Sequence, residues 1–237
     1  MEYLLLILGF VFLFLGGEFL VRSSVSISLK FNISKLVVGM TVVSLATSAP
    51  ELLVSLESAL SNHSDISFGN VIGSNIANIG LVLGLTLLVM PIKVSVETLK
   101  INYPFMLFTS VLLVVVLFVF KEIAIYTGIL FVLLLIGFLY FLVSNSRKNN
   151  SKDQDLEEMK VDSNGKSLAF LLLGAAGLYY GADLFVKGAV SVAAEWGVSD
   201  RIISLSVVAI GTSVPELAAS LIAALKKQDG LALGNLL

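Results

Sequence analysis

The chain has 237 residues, 57% of them hydrophobic and only 14% charged, with a formal net charge of −2 and a mean hydropathy of +0.98. This composition excludes an ordinary soluble domain and places the chain in the membrane class, and the charge balance gives no basis for nucleic-acid binding. There is no cysteine and one histidine, His63, which excludes disulfides, thiolate metal sites, a histidine-built zinc site and most histidine-dependent catalysis.

A helix needs roughly 20 apolar residues to cross the hydrocarbon of a bilayer. Segment one is predicted from about Tyr3 to Val21. It lacks a basic leading region and a small-residue cleavage site, so it reads as a retained helix and not a signal peptide. Segment two runs from about Ser34 to Leu60, and segment three from about Ile66 to Met90, closed by Pro91. Segments four (about Ile101 to Phe120) and five (about Ile123 to Val143) are separated by Lys121-Glu122, a very tight hairpin. The polar stretch from Ser144 to Lys166 is the one long aqueous loop expected, with a flexible composition. Segment six follows from about Ser167 to Val190, segment seven from about Asp200 to Leu225, and an eighth begins near Leu231. The expected organisation is a first five-helix repeat at 1–143, a cytoplasmic loop at 144–166, and the start of a second repeat at 167–237.

Lysines and arginines set the orientation. With the loop after segment one in the cytoplasm, that side holds Arg22, Lys30, Lys35, Lys93, Lys100, Arg147, Lys148, Lys152, Lys160, Lys166, Lys226 and Lys227. The outer side holds only Lys121, Lys187 and Arg201. The N-terminus is therefore expected outside.

Two stretches organise the chain: Ser44 to Glu51 and Ala209 to Glu216, which share the pattern T-S-x-P-E. Moved back by 165 positions, the second half aligns with the first without a gap. Asp183 falls on Glu18, Lys187 on Arg22, Ser199 on Ser34, and Thr212, Ser213, Pro215 and Glu216 on Thr47, Ser48, Pro50 and Glu51. Gly234-Asn235 falls on Gly69-Asn70. A register kept this long implies duplication. Five helices separate the copies, so the second is inverted, and inverted repeats meeting at interrupted helices are a transporter signature. The same register predicts that the counterparts of Ser74 and Asn78, and two further helices, lie beyond Leu237.

Each motif puts a carboxylate at bilayer depth, where a charge is costly and reads as functional. Pro50 cannot donate to the carbonyl of Ala46, nor Pro215 to that of Gly211, which frees two carbonyls. Thr47, Ser48 and Glu51 share one helix face, as do Thr212, Ser213 and Glu216. Ser74 and Asn78, four apart, can add a hydroxyl and an amide oxygen. Oxygen-only ligands suit Ca²⁺ or Na⁺ and not zinc or copper, and two Glu balance one Ca²⁺. Against this stands a purely structural reading: membrane Ser and Thr often bond the preceding turn, and proline often only kinks. Duplication in register weighs against it. Asn75 reads as a capping or packing residue. Glu18 and Asp183 read as interfacial partners of Arg22 and Lys187. Glu57 reads as peripheral, and His63 and Asp65 as a solvated outer loop. Gly16, Gly17, Gly73 and Gly80 read as helix-packing positions.

The paired T-S-x-P-E segments, with G-N-V-I-G-S-N-I-A-N at 69–78, resemble the α-repeats of the sodium/calcium exchanger family, within the cation/Ca²⁺ antiporter superfamily. The resemblance covers nearly the whole chain. It implies an all-α polytopic membrane protein built as an inverted repeat of five-helix halves, with ten helices in the full fold and about seven and a half in this chain. It implies Ca²⁺ and Na⁺ as transported ions without a cofactor, alternating access, and a site built from segments two, three, seven and eight. Matched residue by residue, it places acidic ligands on Glu51 and Glu216, hydroxyl and carbonyl ligands on Thr47, Ser48, Thr212 and Ser213, backbone carbonyls on Ser44 and Ala209, and helix-three ligands on Ser74 and Asn78. The first motif departs from the family pattern, reading A-T-S where G-T-S is usual, with Ser44 at a position where a small apolar residue is common. Proton-coupled relatives usually carry G-N-x-x-E in place of T-S-x-P-E, so the resemblance favours Na⁺ coupling. H⁺/Ca²⁺ exchange and K⁺-dependent Na⁺/Ca²⁺ exchange are the alternatives. From other classes, an intramembrane carboxylate hydrolase gives no reason for duplicated hydroxyls, and a channel conflicts with inverted halves of bulky apolar helices. The expected location is the plasma (inner) membrane, with the bilayer as surroundings and no nucleic-acid partner.

Overall fold

The computed structural model describes residues 2–121, 123–149, 162–199 and 211–236. Segment one is helix α1, Glu2–Phe31, some ten residues longer than its apolar run. The extension carries Ser23, Ser24, Ser26 and Ser28, all buried. Ser23 bonds the Leu20 carbonyl, Ser26 bonds Ser167, and Ser28 bonds the Ile33 carbonyl. Hydroxyls satisfied in this way let the helix continue past the hydrophobic pattern. It ends at Asn32, which takes a left-handed conformation.

Segment two is broken into α2, Lys35–Thr47, and α3, Ala49–Leu60, bent by 53°. Segment three is α4, Ser64–Val89; segment four is α5, Thr98–Phe120. α5 ends at Lys121, the first residue of the predicted hairpin, which is left-handed with its N–H bonded to the Leu117 carbonyl at 2.9 Å; Glu122 lies outside the described residues. Segment five is α6, Ile125–Asn149, and here the predicted boundary is corrected. The polar stretch begins as helix, because Ser146 is buried and its Oγ accepts the Ser34 N–H at 2.6 Å, docking α6 on the start of α2. Segment six is α7, Asn164–Glu195. Segment seven is described from Gly211 onward, where α8 spans Val214–Leu225. α9, Asp229–Gly234, opens segment eight. Among the described residues, five helices are long and apolar enough to cross a membrane, or six if the bent pair is one span.

The core lies where α1, α7, α8 and α9 meet, around Leu20, Leu178, Ala219, Ala223 and Leu231. α1 and α7 cross glycine to glycine. A Cβ on Gly9 would strike Phe185, one on Gly174 would strike Leu20, one on Gly16 would strike Leu178, and one on Gly181 would strike Leu13. Shifted by 165, the first two contacts are the same contact, and so are the last two. The crossing thus sits on the pseudo-two-fold axis of the repeat. Gly17 packs on Ile222, whereas Gly73 and Gly80 have nothing within 4 Å of an added Cβ, so their packing role is not seen. α4, α5 and α6 expose long apolar faces, among them Leu88, Phe118 and Tyr126. That is the surface a lipid-facing helix presents.

Of the basic residues assigned to one side, Arg22, Lys166 and Lys226 make ion pairs around α1 and the start of α7. Glu18 pairs with Lys226, not with Arg22 as the i+4 spacing predicts. Arg22 instead forks onto Asp162 at 2.8 and 3.1 Å and lies over the Phe170 ring. Lys166 holds the other side of Asp162 at 3.0 Å. Long-range partners win because α1 packs along α7 at this level, while the symmetry-related Asp183 and Lys187 do pair locally at 2.7 Å. Glu57, His63 and Asp65 are exposed.

Candidate ion-binding site

Both T-S-x-P-E motifs fold into the same local shape. Ser48 sits at φ −88°, ψ 5° and Ser213 at φ −89°, ψ 4°, each just before a twelve-residue helix with proline in its first turn. Proline is tolerated there because the first N–H groups of a helix have no intrahelical partner. The break turns the carbonyl ladder aside at the level of the glutamates. The likeness continues along both helices: Asn62 and Lys227, at the same register, are both left-handed.

The two carboxylates come together in the protein interior. Glu51 is 7% and Glu216 1% exposed, and the two are within electrostatic reach of each other. Ser48 Oγ donates to Glu216 Oε1 at 2.9 Å across the repeat boundary. Thr47 Oγ1 donates to Asn235 Oδ1 at 2.9 Å and lies 3.3 Å from the Ser44 carbonyl, which also accepts the Ser48 N–H at 2.9 Å. Ser44 therefore has its carbonyl engaged within the helix here. Asn78 opens a π-helical stretch, Asn78–Leu83, in α4; such bulges re-aim side chains and are frequent at functional sites. Ser74 Oγ donates to the Val71 carbonyl at 3.1 Å and lines an open cavity of about 610 Å³ with Asn70, Gly73, Ala77 and Thr212. Asn75 bonds the Val71 carbonyl at 2.7 Å and faces a different cavity, beside Ser44 and Asn102. Ala209 lies outside the described residues.

Five oxygens of this set are buried without a hydrogen-bond partner among the described residues: both of Glu51, Oε2 of Glu216, Oγ of Ser213 and Oδ1 of Asn78. Buried polar atoms are nearly always satisfied, so a group of acceptors left open marks a place built for a donor or a cation. Among the described residues no group of three or more His, Cys, Asp or Glu is placed to hold a metal ion. The anionic charge at the site is thus the glutamate pair.

Sequence reasoning passed over two residues. Asn70 and Asn235 served only as landmarks of the repeat, yet each bonds the backbone of a site glutamate. Nδ2 of Asn70 reaches the Glu51 carbonyl and Ser55 Oγ, and Nδ2 of Asn235 reaches the Glu216 carbonyl and Ser220 Oγ. The signal was present in the register, since Ser55 and Ser220 also match at the same offset.

Residues 1–144 and 166–237 match the family described as sodium/calcium exchanger protein. The putative antiporter CaxA of Alkalimonas amylolytica is 37% identical over 98% of this chain and 74% of that protein. The sodium/calcium exchanger MaX1 of Methanosarcina acetivorans is 32% identical over 100% of this chain and 78% of that protein. The solved structure of the sodium-calcium exchanger NCX_Mj, soaked with zero Na⁺ and Ca²⁺, superposes with a TM-score of 0.85 at 36% identity, over 99% of this chain and 76% of that one. Profile, sequence and fold agree: the chain belongs to the sodium/calcium exchanger family, integral-membrane cation/Ca²⁺ antiporters and not enzymes.

Proposed function

We propose that the protein exchanges Na⁺ for Ca²⁺ by alternating access, with Glu51 and Glu216 as ligands shared by the two ions. Thr47, Ser48, Thr212, Ser213, Ser74 and Asn78 complete the set with neutral oxygens, and the carbonyls of Ser44 and Ala209 join it as the helices rearrange. The observation that carries this reading is the group of five buried, unpartnered oxygens around two carboxylates. Hard, oxygen-only ligation suits Ca²⁺ and Na⁺. A cation neutralises the pair and lowers the cost of keeping it in low dielectric. Without a cation, two facing carboxylates make it costly to carry the site across the bilayer, which couples movement to occupancy and prevents leak. The moving body is the α1–α7 pair, whose glycine-to-glycine crossing makes it a single unit. The first repeat spans 1–143 and the second begins at 167. The N-terminus lies outside and the Lys/Arg-rich ends face the cytoplasm across the plasma (inner) membrane.

The test is ⁴⁵Ca²⁺ uptake by the full-length protein in Na⁺-loaded proteoliposomes, beside Glu51→Gln and Glu216→Gln. Uptake that requires an outward Na⁺ gradient and is lost in both variants is expected. Uptake driven by a proton gradient alone would overturn the coupling ion, and a requirement for K⁺ would add a third ion. No uptake under any gradient would overturn the Ca²⁺ reading.

A further inference from the structure

Two kinds of contact hold α1, and they differ in how firmly they grip. Toward α7 the helices meet backbone to backbone: a Cβ on Gly9 would strike the main chain of Phe185, and one on Gly16 that of Leu178. Along the same boundary Arg22 forks onto Asp162, Ser26 shares a hydrogen bond with Ser167, and Lys30 Nζ donates to Ser167 Oγ. Asp162 lies just before α7 and Ser167 in its first turn. These bonds therefore stay inside the α1–α7 pair and travel with it.

Toward α8 the grip is looser. A Cβ on Gly17 would meet the far end of the Ile222 side chain, a group that can turn aside. At the end of α8 the contact becomes ionic, with Lys226 Nζ donating to Glu18 Oε1. Glu18 is on α1, and Lys226 caps α8, the helix that carries Glu216. The ion pair thus crosses from the moving pair to the helices that hold the site. Each of its side chains is about a third exposed. Arg22, one turn along α1, lies within electrostatic reach of Glu18, so the carboxylate is not stranded when Lys226 leaves it. The first repeat does not carry the same parts. At the offset of 165, Asp183 stands for Glu18, but Ser61 stands for Lys226. Both crossing helices carry the acid, while the helix after the first motif ends on an uncharged residue. Asp183 bonds Lys187 on its own helix at 2.7 Å.

We propose that Glu18 and Lys226 form a latch between the α1–α7 pair and the site-bearing helices, made while the cytoplasmic end is shut and broken when α1 slides along α8 to reverse access. The inference rests on the antiporter reading and specifies a bias between its two states. The latch adds stability to the outward-open state, and Ser61 offers no charge for a matching bond at the end of α3. On opening, Glu18 passes to Arg22.

The test compares half-saturating Ca²⁺ at the two faces of the full-length protein, in right-side-out and inside-out membrane vesicles, under whichever gradient moves Ca²⁺ in the parent. Apparent affinity at each face scales with the fraction of protein open to it. The ratio of external to internal half-saturating Ca²⁺ therefore reads the balance of the two states. Glu18→Gln and Lys226→Gln are each expected to raise that ratio about two- to fivefold, the worth of a partly exposed ion pair. The double variant is expected to match the singles, because the pair can be lost only once. Charges that act only by drawing or repelling Ca²⁺ at the cytoplasmic mouth would move the ratio in opposite directions in the two singles, since the charges removed are opposite. A pair that only supports the fold would leave the ratio unchanged. Either result, or additive effects in the double variant, overturns the latch while leaving exchange by the parent intact. A parent that moves no Ca²⁺ under any gradient overturns the antiporter reading, and the latch with it, before any variant is compared.

Discussion

Replacing Gly16 with Ala tests whether the α1–α7 crossing sets the stability of the bundle. The new Cβ would lie 2.6 Å from the Leu178 nitrogen and 2.8 Å from the Gly177 carbonyl carbon. Both neighbours are backbone, so no side-chain rotation relieves the clash. Carbon contacts are comfortable at roughly 3.5–4.0 Å, so the helices must part by about 1 Å along this stretch. Lipid is as apolar as the side chains and offers no hydrophobic gain to offset that, which leaves packing to decide association. Overpacking of this kind costs about 1–3 kcal/mol. Ala also gains about 0.8–1 kcal/mol over Gly in helix propensity, which would blur a single measurement. Gly73→Ala removes the ambiguity, because it makes the same propensity gain with nothing within 4 Å of the methyl. The difference between the two variants is therefore the packing contribution, with Gly16→Ala the less stable by about 1–3 kcal/mol. The assay is unfolding by sodium dodecyl sulfate in dodecyl maltoside micelles, followed by helical circular dichroism. Gly181→Ala meets the Leu13 nitrogen at 2.7 Å and should behave as Gly16→Ala does. A Gly16→Ala protein as stable as Gly73→Ala would refute the close crossing, and with it the α1–α7 pair as one moving unit.

Ca²⁺ at a hundred times its dissociation constant should raise unfolding stability by about 2.7 kcal/mol. The thermal shift should vanish in Glu51→Gln and Glu216→Gln, and a shift unchanged in both would remove the glutamates from the site. Asp162 is held below the usual carboxylate range, first by hydrogen bonds from Arg22 and then by those from Lys166. A carboxyl depressed on folding contributes stability that is full above its unfolded pKa of about 3.9 and is lost as pH falls through the lower folded value. Asp162→Asn should thus be less stable than the parent at pH 7, with the gap closing below about pH 4; a gap constant across that range would refute the pairing. Pro50→Ala returns an N–H donor to the bend between α2 and α3. It should leave or raise stability while slowing Ca²⁺ exchange, and unchanged exchange would mean that the bend has no part in the site.

Much of this could be read from the chain because two signals were unusually strong. Apolar runs long enough for lipid fixed the helices, and a gapless offset of 165 residues fixed their inversion. The same offset located Glu51 and Glu216, and the break at each serine follows from the proline two residues on. What stayed hidden were contacts between elements far apart in sequence. The i+4 rule paired Asp183 with Lys187 correctly, but Glu18 found Lys226 and Arg22 found Asp162, because the packing of α1 along α7 and α8 outweighs a local helix spacing. The extension of α1 past Val21 and of α6 past Val143 was likewise masked by polar side chains. Ser26, Ser28 and Ser146 are polar in composition and satisfied in the fold, through Ser167, Ile33 and Ser34.

The deeper limit is that a repeat in sequence specifies one set of parts twice and says nothing about which copy is engaged. Ser48 and Ser213 share one backbone geometry, and Asn70 and Asn235 share one pair of bonds, so the duplicated residues fold alike. Yet Ser48 and Thr47 bond across the boundary, while among the described residues Ser213 Oγ has no partner. An antiporter requires two states that differ little in energy and greatly in access, and a small bias at the boundary is the kind that bound ions can reverse. Inverted duplication supplies the near-degeneracy, because each state can be built from the other's contacts with the two halves interchanged.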